Sequence, residues 1–255
     1  MLGFIGTGAI TETVVTGLCT APAPPAIILS PRNAARADAL RRRFANVSVG
    51  RDNQAVLDRA ATVVLAVRPQ DAVAALGGLR FRAEQTVVSF IALLPMATLR
   101  PLTAPATRIC RAIPLPSAAL RVGPLALWPA LPDIVALLER VGTIVGVTEE
   151  RLLEPLWATT ALMAPFFEQL RQVAGWLSDY GVAPEQAAAY TISLYTAWTA
   201  IAAGQDDLAR LRNESQTRGG LNEQALRQLT TAGHYAALRE TLNAVLLRLE
   251  AAGKQ

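Results

Sequence analysis

The chain holds 255 residues, enough for one large domain or two modest ones with a core that needs no disulfide or metal staple. Its 24 basic and 20 acidic residues leave a net charge of only +4, and the densest basic cluster, Arg41-Arg42-Arg43, reads as a solvated helix face, so no nucleic-acid partner is indicated. Cys19 and Cys110 stand far apart and outside any metal-ligand spacing, which excludes a disulfide framework and a zinc site and fits a reducing, cytoplasmic setting.

The chain opens on a strand pattern, Leu2 to Ile5, with neither the basic flank nor the cleavage site of a secretory signal. The strand runs straight into Gly6-Thr7-Gly8 and a helical pattern that begins with Ala9 and Ile10. That order suits a dinucleotide: the first glycine makes a tight bend, the second admits the pyrophosphate, and the helix start offers free N–H groups. The third position of the motif is Thr11 rather than Gly or Ala. Glu12, in the first helical turn, gains from the helix dipole and reads as structural.

The second strand pattern, Ala26 to Leu29, ends in Ser30-Pro31-Arg32-Asn33. A dinucleotide site for NAD usually carries Asp or Glu there to hold the ribose 2′-hydroxyl. Ser30 and Asn33 offer hydrogen bonds and Arg32 a charge-assisted one, so this end suits the 2′-phosphate of NADPH. Ser30 with Pro31 also reads as a helix start.

Amphipathic patterns at Asn33 to Phe44 and Asn53 to Ala60 alternate with strand patterns at Thr62 to Val67, Thr86 to Phe90 and Thr107 to Cys110, which predicts βαβ units and a parallel sheet. Weaker strand patterns follow at Gly123 to Trp128 and Thr143 to Val147. From about Thr148 the periodicity turns helical: Glu149 to Tyr180, Pro184 to Ala203, Gln205 to Asn213, Asn222 to Thr230 and His234 to Ala252, broken at Gly181, Gly204, Gly219-Gly220 and Gly233. The expectation is an α/β Rossmann-type domain over 1–148 and an all-helical domain over 149–255. Ala187 to Gly204 carries no charge but many hydroxyls, which suits burial between helices better than a membrane span. So apolar a helical segment predicts an interface with a second copy, with Trp157, Trp176 and Trp198 in its core.

Two absences narrow the chemistry. His234, placed like a helix-start residue, is the sole histidine, and Lys254, next to the C-terminus, is the sole lysine. Ketone reduction ordinarily needs such an acid beside the developing alkoxide, and a Schiff base needs an interior lysine. A protonated C=N substrate arrives already activated and needs only positioning over a nicotinamide.

These residues resemble the pyrroline-5-carboxylate reductase family over almost the whole chain. GFIGTGAITETVVTGL is similar to that family's opening turn and helix, with Gly6, Gly8 and Glu12 matching. Ala66-Val67-Arg68-Pro69-Gln70 resembles its strand end beside the cofactor, Asp52-Asn53 resembles its Asp-Asn pair, whose asparagine contacts the adenosine, and VVSFIA resembles a further strand. The resemblance implies a Rossmann domain that binds NADPH, a helical domain that forms an intertwined homodimer or an assembly of dimers, and reduction of a cyclic imine, with 1-pyrroline-5-carboxylate giving proline.

Departures from the family's pattern lie on the substrate side. Arg111-Ala112-Ile113-Pro114-Leu115-Pro116-Ser117 carries leucine where the family has asparagine, and Leu162-Met163-Ala164-Pro165-Phe166 fills a glycine-rich motif. The family's Ser-Pro-Gly-Gly-Thr-Thr, which holds the substrate carboxylate, stands here as Thr217-Arg218-Gly219-Gly220-Leu221-Asn222. The resemblance implies substrate binding by Gly219, Gly220, Leu221 and Asn222, with Thr217 and Asn222 as the catalytic pair, while Arg218 is either a second anion contact or a solvated loop residue. Three readings follow: a pyrroline-5-carboxylate reductase with local substitutions, a reductase of a more apolar cyclic imine, and an NADPH-binding protein without turnover. None of them involves a metal, a nucleic acid or a membrane.

Overall fold

Residues 1–252 are described by a computed structural model. Lys254 lies outside the described residues. The first half alternates strands and helices: β1 (Leu2–Ile5), α1 (Ala9–Thr20), β2 (Ile27–Leu29), α2 (Ala34–Arg43), β3 (Val47–Val49), α3 (Asn53–Arg59), β4 (Thr62–Leu65), α4 (Ala72–Leu76), β5 (Thr86–Ser89), α5 (Met96–Thr103), β6 (Arg108–Ile113), β7 (Pro124–Trp128), α6 (Pro132–Leu138) and β8 (Thr143–Gly146), with β3, α4, α5 and α6 added to the predicted elements. These strands form one sheet in the order β3-β2-β1-β4-β5-β6-β7-β8. Pairing is parallel except between β6 and β7, which run antiparallel with Ala112 opposite Leu127. The expected sheet is thus mostly but not wholly parallel.

Side chains alternate across the strands, so each face buries its own core. Phe4, Val64 and Val88 pack with Val14, Val15 and Leu18 of α1 on one face. Ile5, Val63, Leu65 and Val87 pack with Val56 and Leu57 of α3 on the other. Because β2 and β4 flank β1 on opposite sides, the order reverses at β1. In sheets of this type the crevice beyond the carboxyl ends of the strands at that reversal is where ligands bind.

The second half is helical: α7 (Leu153–Thr159), α8 (Met163–Asp179), α9 (Pro184–Ala202), α10 (Leu208–Glu214), α11 (Leu221–Thr231) and α12 (His234–Ala252). Gly181, Gly204 and Gly233 follow helix ends in the left-handed region, with φ of 92°, 79° and 77°, and Gly219, at 74°, lies in the turn before α11. Packing separates two compact units, one of Met1–Trp157 with Arg248–Gln255 and one of Ala158–Leu247.

The helical unit buries little of its apolar surface. Of α9 only Ala187 and Thr191 are buried, while Trp176 and Trp198 stand 58% and 52% exposed. Phe166 meets Tyr195 edge-on, with ring centroids 6.0 Å apart, and Tyr195 meets Trp198 at 5.1 Å. Trp157 falls in the sheet-containing unit, apart from the two tryptophans with which the sequence grouped it. Among the described residues no helix is long and apolar enough to cross a membrane, and no cluster of His, Cys, Asp or Glu could hold a metal ion.

Candidate cofactor and substrate sites

Gly6 follows β1 with φ of 98°, and a Cβ there would lie 2.5 Å from the Ala66 carbonyl oxygen. Only glycine lets the loops after β1 and β4 pass this closely. At Gly8 no protein atom comes within 4 Å of the place a Cβ would take, so the backbone is open to a ligand. Gly8 also caps α1 without any side-chain hydrogen bond, which leaves the helix's first N–H groups for an anion.

The departure at Thr11 has a structural explanation. Its buried hydroxyl donates to the Gly6 carbonyl oxygen at 2.6 Å and ties the helix to the turn that it follows. Ser30 is also buried and works from behind the turn. Its Oγ accepts the Gly6 N–H at 2.9 Å, and its carbonyl oxygen accepts the Thr7 hydroxyl at 2.7 Å. Ser30 therefore fixes the shape of the turn from the protein side.

Gly6, Thr7, Gly8, Arg32, Asn33, Ala66, Val67 and Arg68 converge on one cleft of about 440 Å³ at the reversal of the sheet. Ala34 and Asp71 complete the wall and were not anticipated. Ala9, Asn53 and Pro69 do not line it; Asn53 opens α3, where Asp52 caps the helix by accepting the Ala55 N–H at 2.7 Å. Asn33 caps α2 through its Oδ1, which accepts the Arg36 N–H at 3.2 Å, and its amide nitrogen is not used by that bond. Arg36 pairs with Glu12 at 2.6 Å, which assigns Glu12 to the scaffold. The open Gly8 backbone, the helix start and the arginines of this cleft fit the pyrophosphate and a phosphorylated ribose of a dinucleotide.

On the other side of the reversal, Ile10 lines a second cavity of about 150 Å³ with Ser89, Ile91, Arg111, Ile113 and Trp157. This apolar pocket at the ends of β5 and β6 suits a flat ring. Beside it Arg111 is buried, with one guanidinium nitrogen 2.7 Å from Glu150 and 3.3 Å from Glu154. The same Glu150 oxygen accepts the Met96 N–H at 2.7 Å, so the arginine anchors α7 to β6. Ser89 ends β5 within the VVSFIA stretch, and Trp157, which the sequence placed in an interface core, sits on α7 and walls this cavity instead.

In the helical unit Thr217, Gly219, Gly220, Leu221 and Asn222 form one turn before α11. The Gly220 N–H donates to the Thr217 carbonyl oxygen at 2.8 Å, and a Cβ at Gly220 would strike the Thr217 hydroxyl at 2.7 Å. The Asn222 amide donates to the Ser215 carbonyl oxygen at 2.8 Å. The Gly219 N–H donates to the Glu223 carboxylate at 2.6 Å, a partner that the motif did not reveal. Leu221 is 84% exposed.

A family model described as NADP oxidoreductase, coenzyme F420-dependent, matches residues 1–93. The pyrroline-5-carboxylate reductase of Pseudomonas aeruginosa is 27% identical over 97% of this chain and 94% of its own. Among solved structures, the pyrroline-5-carboxylate reductase of Coxiella burnetii superposes with a TM-score of 0.83 at 23% identity, covering 98% of this chain and 97% of that one. The Plasmodium falciparum pyrroline carboxylate reductase with NADP bound gives 0.82 at 14% identity, over 99% and 97%. In sequence along its length, and in fold, this chain is similar to pyrroline-5-carboxylate reductases.

Proposed function

We propose that this protein is an NADPH-dependent oxidoreductase that reduces the C=N bond of a cyclic imine. The observation that carries this reading is the cleft at the sheet reversal, where the Gly6 and Gly8 backbone meets Arg32 and Arg68. Similarity to the Pseudomonas aeruginosa reductase supports 1-pyrroline-5-carboxylate as substrate and proline as product. Bound NADPH supplies a hydride from nicotinamide C4. The peptide N–H groups of Gly8, Ala9 and Ile10 hold the pyrophosphate, Arg32, Asn33 and Arg68 take the ribose phosphate, and Ala66 and Val67 border the nucleotide, with Ser30 and Thr7 keeping the turn in shape. Residues 1–148 serve as the cofactor domain and 149–255 as the dimerisation and substrate domain. There the Gly219-Gly220 turn, Leu221, Thr217 and Asn222 position the imine, the last two as its polar contacts.

A second reading, a more apolar cyclic imine, is favoured by a specific observation: the Gly219 N–H is already bonded to Glu223, and Leu221 stands exposed where the family has a hydroxyl residue. The large apolar side chains exposed on α8 and α9 support a homodimer through the helical unit. Free Cys19 and Cys110 are consistent with a cytoplasmic setting.

The test is NADPH oxidation with 1-pyrroline-5-carboxylate beside 1-pyrroline and six-membered cyclic imines. Turnover of any of them supports the reading. Tight NADPH binding without turnover assigns a non-catalytic role, and failure to bind NADPH overturns it.

A further inference from the structure

The end of β2 carries no acidic residue, yet the cofactor cleft contains a carboxylate. It comes from Asp71, in the turn Pro69–Asp71 that follows β4. One oxygen of Asp71 lies 2.9 Å from Arg68 Nε and 3.4 Å from Arg32 Nη1. A single anion thus bridges the loop after β2 and the loop after β4, the two loops of this cleft that carry arginines. The carboxylate is the sheltered member, 22% exposed, while the arginines are 67% and 70% exposed. Hydrogen bonding from Arg68, reinforced by the charges of Arg68 and Arg32 against a desolvation cost, holds the Asp71 carboxyl below the usual carboxylate range, so it is charged at neutral pH.

Two consequences follow for a ligand. A ribose 2′-phosphate that turns to Arg32 and Arg68 finds them already sharing an anion, and it carries a second negative charge into the space beside Asp71. A ribose 2′-hydroxyl has the opposite relation to Asp71, because it can donate a hydrogen bond to the carboxylate, the role an acidic residue at the end of β2 takes in sites for NADH. The ion pairs are solvent-exposed and individually weak, so a phosphate can displace them. What remains is a preference that two groups of opposite sign set against each other.

We propose that Asp71 is a specificity-determining residue of the cofactor site: its carboxylate opposes the 2′-phosphate at Arg32 and Arg68 and accepts the 2′-hydroxyl of NADH, holding selectivity for NADPH below what the arginines alone would give. The proposal rests on the cleft being the cofactor site.

The test is equilibrium titration of the full chain with NADPH and with NADH, for the natural protein and for Asp71→Asn, Asp71→Ala and Arg32→Ala. Like charges about 4 Å apart and screened as in bulk water change affinity by about fivefold. Asp71→Asn and Asp71→Ala should therefore tighten NADPH by about three- to tenfold and leave NADH unchanged or weaker, while Arg32→Ala should weaken NADPH far more than NADH. Unchanged thermal melting of the Asp71 variants shows that they fold. If both Asp71 variants leave the ratio of NADPH to NADH affinity unchanged, or change it toward NADH, Asp71 does not set the preference. If the natural protein binds neither nucleotide, it is the cofactor reading that fails.

Discussion

The Glu223 carboxylate lies 2.6 Å from the Gly219 amide nitrogen, so the glycine turn that resembles a carboxylate cradle already holds a carboxylate of its own. Glu223 is the third residue of α11, and it reaches back past the N-cap Gly220 to accept the N–H of the residue before the helix. A helix break with glycine at φ 74° and a capping glutamate is a stable local structure in itself.

That arrangement bears on which imine is accepted. A substrate carboxylate brought to Gly219 would displace the Glu223 oxygen and stand beside its charge, at a cost of about 1–4 kcal/mol for like charges about 4 Å apart. Glu223→Gln keeps the shape of the cap and removes the charge. We expect it to raise kcat/KM for 1-pyrroline-5-carboxylate by about tenfold or more, with little change for 1-pyrroline, which has no carboxylate. Equal responses of the two substrates in steady-state assays would assign Glu223 to helix capping alone.

The two glycines of the first turn should fail in different ways. Gly6→Ala places a Cβ 2.5 Å from the Ala66 carbonyl oxygen at a residue with φ of 98°. Strain of that kind costs about 1–3 kcal/mol, so the variant should lose stability in chemical denaturation as well as NADPH binding. Gly8→Ala adds a methyl where no protein atom lies within 4 Å. Its stability should match the parent, while its affinity for NADPH falls by about tenfold as the methyl takes space meant for the pyrophosphate. Equal nucleotide affinity in Gly8→Ala and the parent would show that the pyrophosphate lies elsewhere.

Much of the fold was legible because β-branched runs such as Thr62–Leu65 and Thr86–Ser89 have few alternatives to a buried parallel strand. β3 escaped notice since Val47–Val49 is three residues long with a serine at its centre. The reversal at β7 was equally invisible, because its direction depends on the turn at Pro116–Leu120 and on Gly123, which sits at φ of 92°. The backbone of the cofactor turn was readable from Gly6 and Gly8, whose requirement is local. Asp71 was not, because it meets Arg32 across 39 positions of sequence, and neither was the orientation of Ser30, whose buried hydroxyl accepts the Gly6 N–H. Motifs report what a residue type can do; only packing decides which side of the turn it faces.

Cys110 offers a check on the sheet's interior. The residue lies on β6 with no exposed surface, and burial, with a smaller contribution from Asp133, pushes its thiol from the ordinary 9.0 up to about 12. The raised value means that this thiol contributes stability fully below pH 9.0, and that the contribution is lost as pH rises toward about 12. At neutral pH about a thousandfold less thiolate is present than in an ordinary cysteine. Native protein treated with iodoacetamide should leave Cys110 unlabelled while denatured protein labels it, and the Cys110→Ala variant should show a shallower loss of stability between about pH 9 and 11 than the parent. Rapid labelling of Cys110 in the native protein would place β6 at an open edge.

The helical unit supplies the last prediction. Trp176 and Trp198 are more than half exposed on α8 and α9, and Phe167, Tyr190, Ile192 and Ile201 join them at the surface. An aromatic or aliphatic side chain of that size contributes about 1.5–3 kcal/mol when fully buried, so covering several of them drives association strongly. Sedimentation velocity should give twice the chain mass at micromolar concentration. Trp198→Glu places an unpaired charge in that surface, which costs far more in a desolvated interface than in a free monomer, and it should shift the protein to a single chain with an intact sheet unit. Retention of NADPH binding by the monomeric variant would show that the cofactor cleft is complete within one chain. A parent that sediments as a monomer would overturn the dimer.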